Sequence, residues 1–520
     1  MLSHRTRAVA ARLALSLAIG ACCLRGQIPV MGAGASGSSR ATPLAASGRA
    51  NQPGQVTAEQ SASSGDGVAT VNSSIQVTGD YSGSVPSKNF PGGPIALSLA
   101  DALKLGLAAN LGSISADDTV RASRAGRIQA LSALLPNISA NASETVTQVN
   151  LAAYGFQFKL PPGLNFSIPS VVGPFSYSQI QGALSQSIYD PVERRNWKSA
   201  KESERASILS AKDSREIVVL AIGGTYLQTL ASEARVVSQQ AQVDNAQAVY
   251  RQAVTRKAAG TNSKIDVMRS LVELETQQQR LSSLEADLKK QKIALARVIG
   301  LPQDRELNLS EPLSMQRAPV PEVSFAIAQA QRHRADLRSA EAQVAAAEQA
   351  LSAAHAERLP SVTLNGDYGA LGPNPTSAHG VFAVTGTVNV PIWQGGRTKG
   401  DILEAEATLH QRQAELADSR ARVEQDVRNA LIELQTASGQ VELASTNRGY
   451  ANETLTESRD RFSAGVATTV EVVQAEEQVA GAENDYISSL FSFDLARLSL
   501  ARATGEAEAE LPQLLQGGRP

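Results

Sequence analysis

Few residues in this chain are spaced for chemistry. The five histidines, His4, His333, His355, His379 and His410, are scattered, and no His or Cys pair has metal-ligand spacing. His410 lies beside a leucine seam, as a solvated helix position would. Gly32-Ala33-Gly34-Ala35-Ser36-Gly37 fits G-x-G-x-x-G, but no strand pattern precedes it and no helical pattern follows. Nothing resembles a P-loop or a nucleophile elbow. Asn137-Ile138-Ser139 and Asn141-Ala142-Ser143 fit glycosylation sequons yet fall in an expected strand. No catalytic, cofactor or metal residue is assigned, and no enzyme is expected. One thiol remains. Arg5, Arg7 and Arg12 precede an apolar run from Leu13 to Ala21, the pattern of an export signal over residues 1–22. Ile19-Gly20-Ala21-Cys22 resembles a bacterial lipobox, which would make Cys22 an acylated mature N-terminus. An ordinary cleavage region is the alternative.

The apolar run is too short to span a bilayer, and no later stretch reaches about 18 apolar residues. Net charge is -2, so bulk charge implies no nucleic acid or other polyanion. Only 4% of residues are aromatic, which suits long Ala- and Gln-rich helices better than many compact cores. Residues 23–95 are rich in Gly, Ser, Ala and Thr and read as a flexible leader. Order is expected from Ile95, with Leu99, Leu103 and Leu107 on one helical face.

The chain contains itself twice. Leu295-Ala296-Arg297-Val298-Ile299-Gly300 reappears as Leu500-Ala501-Arg502-Ala503-Thr504-Gly505, 205 residues on. The same offset carries Ala259-Gly260 onto Ala464-Gly465 and Asp266-Val267 onto Glu471-Val472. It also carries the seam Leu274, Leu281, Leu288, Leu295 onto Val479, Tyr486, Phe493, Leu500. This is a duplicated half, not a short solenoid unit. One copy spans 96–300 and the other 322–505, with a linker at 301–321 and a tail at 506–520.

Proline is absent from Val192 to Leu301 and from Ile392 to Leu511, runs of 110 and 120 residues. An interior proline costs a helix about 3 kcal/mol, so such gaps permit very long helices. Ile402, Leu409, Leu416, Val423 and Ala430 fall every seven residues, and Val427, Leu434 and Val441 extend the stripe, as coiled-coil packing requires. The spacing predicts a helix over Arg397–Ser463, a stop at Ala464-Gly465 and a second helix. The first copy repeats this, with a helix from about Arg194 to Lys257, a break at Ala259-Gly260 and a helix ending near Gly300. A glycine just past a helix end is a common stop. Each copy is a long helical hairpin.

A different segment precedes each hairpin. Asn137–Tyr189 and Ser361–Gly396 hold three charged side chains between them, Glu144, Lys159 and Asp367, against a chain average of 19%. They hold ten of the 21 aromatics. Ile138, Ala140 and Ala142 alternate with polar residues, and Phe382, Val384, Val388, Val390 and Ile392 do likewise. Pro161-Pro162-Gly163 and Gly372-Pro373-Asn374-Pro375 divide each segment into two strands. Four nearly uncharged strands suit lipid, but open edges are not tolerated there. Three protomers sharing one barrel would supply twelve strands. A small soluble β-subdomain is the alternative. The first segment is longer, the excess falling around Leu160–Pro174, where an external loop is expected.

With these elements in order, residues 95–505 resemble the TolC-like outer-membrane efflux family. Leu99-Ala100-Asp101-Ala102-Leu103 looks like its opening helix. Ala133-Leu134-Leu135-Pro136 and Glu357-Arg358-Leu359-Pro360 look like its helix-to-strand junctions, and Pro391-Ile392-Trp393-Gln394-Gly395-Gly396-Arg397 like its strand-to-helix junction. Ser187-Ile188-Tyr189-Asp190-Pro191 is a degraded copy of the last. Arg334-Ala335-Asp336-Leu337-Arg338 looks like the start of its second repeat. The resemblance implies a mainly α fold with a small β part. Long hairpins would form a periplasmic α-barrel beneath a trimeric 12-stranded barrel in outer-membrane lipid. It implies a homotrimeric passive duct for small molecules or proteins, docked to an inner-membrane pump through a periplasmic adaptor. In the family an aromatic-x-x-Gly turn leads into acidic residues that ring the periplasmic aperture. Here Phe462-Ser463-Ala464-Gly465 leads to Glu471, with Asp266 and Gly260 the first-copy counterparts. Three copies of Glu471 would crowd like charges and favour cations. The chain departs from the family at Ala467, where an arginine often latches the closed state, and at Gln474, where a second acid can sit. Asp266 and Glu471 also fit plain first-turn residues stabilised by the helix dipole. A non-channel periplasmic coiled-coil adaptor is the competing reading, though adaptors usually carry one hairpin, not two.

Overall fold

The computed structural model describes residues 41–42, 55–62, 71–86, 93–155, 169–260, 263–313 and 320–514, all within one unit, Ala41–Pro520. Cys22 and residues 160–168 of the expected external loop lie outside them. In chain order the strands are β1 (Ala41–Thr42), β2 (Val56–Ala62), β3 (Val71–Val77) and β4 (Ile95–Leu97). Next come α1 (Leu99–Ala109), α2 (Leu111–Ser132), β5 (Asn137–Asn150), β6 (Val171–Tyr189), α3 (Pro191–Ala258) and α4 (Lys264–Ile299). The linker supplies β7 (Leu307–Leu309), and the second copy α5 (Val323–His333), α6 (Ala335–Ala356), β8 (Ser361–Gly372) and β9 (His379–Asn389). It closes with α7 (Arg397–Ser463) and α8 (Thr469–Thr504), and the tail adds α9 (Ala507–Leu514).

The long helices start and stop on local chemistry. Asp190 caps α3, its side chain accepting from the N–H groups of Val192 and Glu193 at 3.0 Å, with Pro191 at the first helical position. Helix α3 runs 68 residues, about 100 Å at 1.5 Å per residue. Gly300 and Gly505, with φ of 78° and 83°, end α4 and α8 in the left-handed conformation open to glycine. The duplicated Gly thus marks one backbone event made twice.

The most apolar part of α3, from Ile217 to Ala231, is core. It packs with α1, the upper turns of α4 and α8, and Leu307 of β7. Strands β4 and β7 pair in parallel, tying the start of the first copy to the linker after it. Two ionic contacts are buried, the first joining the copies and the second lying within the second copy. Asp213 of α3 pairs with Arg502 of α8, both almost fully enclosed. Arg334, between α5 and α6, is enclosed and bonds Asp336 and, on α7, Asp426.

Three expectations change here. The leader is not uniformly flexible, because Val56, Ile75 and Tyr81 are buried in the core. Ile75 fills the notch left by Gly224, where an added Cβ would lie 1.8 Å from its Cδ1, and its N–H bonds the Gln228 side chain at 3.2 Å. The tail forms α9, with Leu511 buried against Gly223. The linker is a packed strand connection, with Leu301 and Leu307 buried.

Candidate functional site

Two regions hold the function-bearing residues. The first is the four-stranded antiparallel sheet, ordered β5-β6-β8-β9. Its register sorts the side chains, because cross-strand partners share a face. Ile138 pairs with Leu184, Ala142 with Ile180, Ile180 with Ala370, Gly182 with Tyr368, Tyr368 with Phe382, and Val362 with Val388. That face is apolar and open, with Ile138 and Phe382 each 77% exposed. The other face pairs Asn141 with Gln181, Ser143 with Gln179, Ser185 with Asn365, Thr363 with Thr387 and Asn365 with Thr385. One side therefore suits hydrocarbon and the other water. Alternation of this kind defines a membrane barrel wall. Ser176, Ser178 and Gln186 also fall on that face, but among the described strands Glu144 is its one charged side chain, and its carboxylate accepts from Ser178 Oγ at 2.5 Å. Twelve-residue β8 extends about 40 Å, or roughly 30 Å in height at barrel tilt, which matches a bilayer core. Among the described residues the outer edges of β5 and β9 pair with no strand. Trp393 and Ile392, just past β9, are 87% and 93% exposed, at the level where aromatic girdles sit.

Part of the expected external loop is strand instead. Val171 to Pro174 belong to β6, paired with β5 through Val171–Asn150 and Val172–Val149. The first strand pair runs 14 and 19 residues against 12 and 11 in the second, so some of the extra length extends the wall.

The second region is the pair of hairpin tips. Gly260 and Gly465 turn each tip with φ of 75° and 79°. Ser263 and Thr468 then cap α4 and α8 with reciprocal capping boxes. Asp266 closes the first box, its Oδ2 accepting from Ser263 N at 3.2 Å and Ser263 Oγ at 2.7 Å. Glu471 closes the second more loosely, at 3.4 Å from Thr468 N, and its other oxygen lies 3.9 Å from Arg461. Both acids thus hold the first-turn role. Arg461 supplies a cation near Glu471, although Ala467 holds none.

Phe462 does not line an opening. It is 3% exposed, packed with Leu455, Val472 and Val479, and Arg256 stacks on its ring at 4.2 Å. Arg256 also donates to Ser463 O at 3.0 Å, pinning the first tip to the second. The aromatic of the turn is the tip's core, not its rim. Gln474 is exposed and lines a groove of about 750 Å³ between the first turns of α4 and α8. Ile265, Met268, Val272, Val470 and Val473 make it apolar, and Lys264, Arg269 and Glu273 edge it. Ile265 and Val470 are one repeat apart, so equivalent residues of the two copies face each other across the groove. Above the groove, Arg459 meets the buried Glu476 at 3.0 Å. Burial pushes the Glu476 carboxyl up, and Arg459 draws it back.

Comparison with known proteins agrees with this geometry. A family described as outer membrane efflux protein matches residues 326–506. The pyoverdine export outer membrane protein OpmQ of Pseudomonas putida is 24% identical over 326 residues, 59% of this chain and 67% of its own length. The probable outer membrane lipoprotein SilC of Salmonella typhimurium is 22% identical, covering 59% of this chain and 68% of its own. The chain spans about two thirds of the length of such relatives. Among solved structures, the outer membrane protein VceC of Vibrio cholerae superposes with a TM-score of 0.65 at 20% identity, covering 78% of this chain and 96% of that one. The CmeC outer membrane channel of Campylobacter jejuni gives 0.65 at 14% identity, covering 88% and 99%. The second copy thus matches the outer membrane efflux protein family, and the chain has the fold of the TolC-like outer-membrane channels it is similar to.

Proposed function

We propose that this protein is the outer-membrane duct of an export system. Three copies join the free edges of β5 and β9 into one twelve-stranded barrel, and their helices continue it as a tube through the periplasm. The observation that carries this reading is the two-faced sheet. Its apolar side meets lipid, its polar side lines the pore, and its unpaired edges need partners because hydrocarbon offers none. Small molecules or proteins pass without chemical change. OpmQ is named for pyoverdine export and a further relative, TtgF of Pseudomonas putida, for toluene efflux, which supports export without choosing a cargo.

The tips form the periplasmic end. The apolar groove beside Gln474 accepts the periplasmic adaptor of an inner-membrane pump, and Glu471 and Asp266 favour cations at the opening. Cys22 carries the lipid anchor, consistent with the lipoprotein relative SilC.

Purified protein in a planar bilayer tests the duct. Stepwise currents from a crosslinkable trimer are expected. A soluble monomer that passes no current would sink the reading. Mass spectrometry of the mature N-terminus tests acylation, and an unmodified start beyond Cys22 would exclude it.

A further inference from the structure

Helix α3 carries a row of cations that the duct does not use. Arg194, Lys198, Lys201, Arg205 and Lys212 follow at spacings of four, three, four and seven, so they share one face. All five are exposed. Among the described residues only Arg205 has a carboxylate in ion-pair reach, Glu202 at 3.4 Å. The row spans about 27 Å of helix.

Neighbouring contacts fix which face this is. Glu204 turns aside to Arg124 and Arg127 of α2, at 3.2 and 2.5 Å. Ser199 donates to Ala346 O of α6 at 2.9 Å, and Ser339 of α6 donates to Ala206 O at 2.8 Å. Helices α2 and α6 thus flank α3, and the cations lie between. Continued at seven-residue steps, the same face reaches Arg215, Ile222 and Tyr226. Arg215 pairs with Glu508 of α9 at 2.9 Å, Ile222 packs on Gly106 of α1, and Tyr226 donates to Leu97 O of β4 at 3.0 Å. The face is covered below Lys212 and bare above it. A layer of α1, β4 and α9 inside a tube would plug it, so this face is the outer one. That orientation rests on the duct reading.

We infer that the row docks an extended, carboxylate-bearing cell-wall polymer of the peptidoglycan kind, in the zone just beneath the outer membrane. A membrane surface fits less well. The row runs along the helix axis, away from the end of β6 at Tyr189. Arg194 lies about 7 Å from that end and Lys212 about 34 Å. Charge–headgroup attraction fades within about 8 Å at physiological salt, so a bilayer would engage the first cation and leave the rest unused. A strand of spaced carboxylates running alongside would engage all five.

The test uses full-length protein in detergent and protein-free peptidoglycan sacculi. Wild type is expected to co-sediment at low salt and to be released at about 0.5 M salt, where screening shortens to a few ångströms. Lys198→Gln/Lys201→Gln/Arg205→Gln/Lys212→Gln is expected to lower the bound fraction roughly tenfold. Sacculi with amidated carboxyls should not retain the wild type. Equal binding by the variant, or equal binding to amidated sacculi, overturns the inference. So does row-dependent binding to phosphatidylglycerol vesicles without binding to sacculi. Current is read from the same preparations. Normal current without binding removes the row and leaves the duct; row-dependent binding without current does the reverse.

Discussion

Arg334 should be the most expensive single side chain to remove from the periplasmic helices. Its Nε and Nη2 donate to the two oxygens of Asp336 at 3.0 and 2.6 Å, and its Nη1 donates to Asp426 on α7 at 2.7 Å. The guanidinium is almost wholly enclosed, at 1% exposure. Arg334→Met keeps much of the volume but strands two carboxylates, and breaking a buried pair in this way costs about 3–5 kcal/mol. The loss should depend on pH. Arg334 holds the Asp336 carboxyl down to about 2, against its own burial. A depressed folded value stabilises above the unfolded value near 4 and is lost as pH falls toward 2. The shift of nearly two pH units corresponds to about 2 kcal/mol. Asp426 has the opposite sign, because burial outweighs Arg334 and raises its carboxyl. An Asp426→Asn background therefore isolates the Asp336 arm. Without the guanidinium, the burial of Asp336, its largest influence, is opposed only by Arg502 and the Leu337 N–H, so its carboxyl rises. The penalty of Arg334→Met should then shrink from pH 7 to pH 4 as the stranded acid protonates. Urea unfolding in detergent, followed by helical circular dichroism, reads both quantities. A loss under about 1 kcal/mol at pH 7, or the same loss at pH 4, would refute the reasoning.

Three further outcomes follow from named atoms. Asp494 of α8 is fully enclosed, neither carboxyl oxygen has a hydrogen-bond partner, and burial pushes it up to about 7 despite Arg497 at 4.0 Å. A raised acid withdraws stability as pH climbs from about 4 to about 7, so Asp494→Asn should stabilise by about 4 kcal/mol at pH 8 and hardly at all at pH 4, read by unfolding midpoints at both values. Gly369→Val should break the β6–β8 seam, since even a Cβ there would lie 2.2 Å from Ile180 O; the readout is loss of trimer on native gels, and an intact trimer would contradict it. Phe462→Ala should cost about 3–5 kcal/mol by emptying the tip core, and amide exchange in α8 should quicken near Val472, whereas unchanged exchange would return Phe462 to the rim.

The hairpins were legible because helix stops are local. Proline-free runs, the glycine pair 205 residues apart and the seven-residue stripe all act within a few turns of themselves, and α7 begins and ends at the expected Arg397 and Ser463. The four strands were legible for the same reason, since period two and missing charge are read along one segment. Less legible were the sites that depend on distant partners. Arg297 and Arg502 occupy equivalent places in the repeat, yet Arg297 is exposed and Arg502 is buried against Asp213, 289 residues away. The burial of Phe462 is likewise not legible from its own turn, because its partners Arg256 and Val249 come from the other hairpin.

By itself, then, the sequence determined which stretches are helix, strand and turn, that they occur twice, and that one strand set avoids charge. Those properties depend on residues close along the chain. Tertiary structure decided which side of each element is covered. It drew Ile75 out of a glycine-rich leader and Leu511 out of a tail into the core, since each fills a gap beside a glycine of α3. It locked Asp266 and Glu471 into capping boxes, and left the cations of α3 bare on a face whose lower half is covered. Burial is settled by what arrives from elsewhere in the chain, and a local pattern cannot show that arrival.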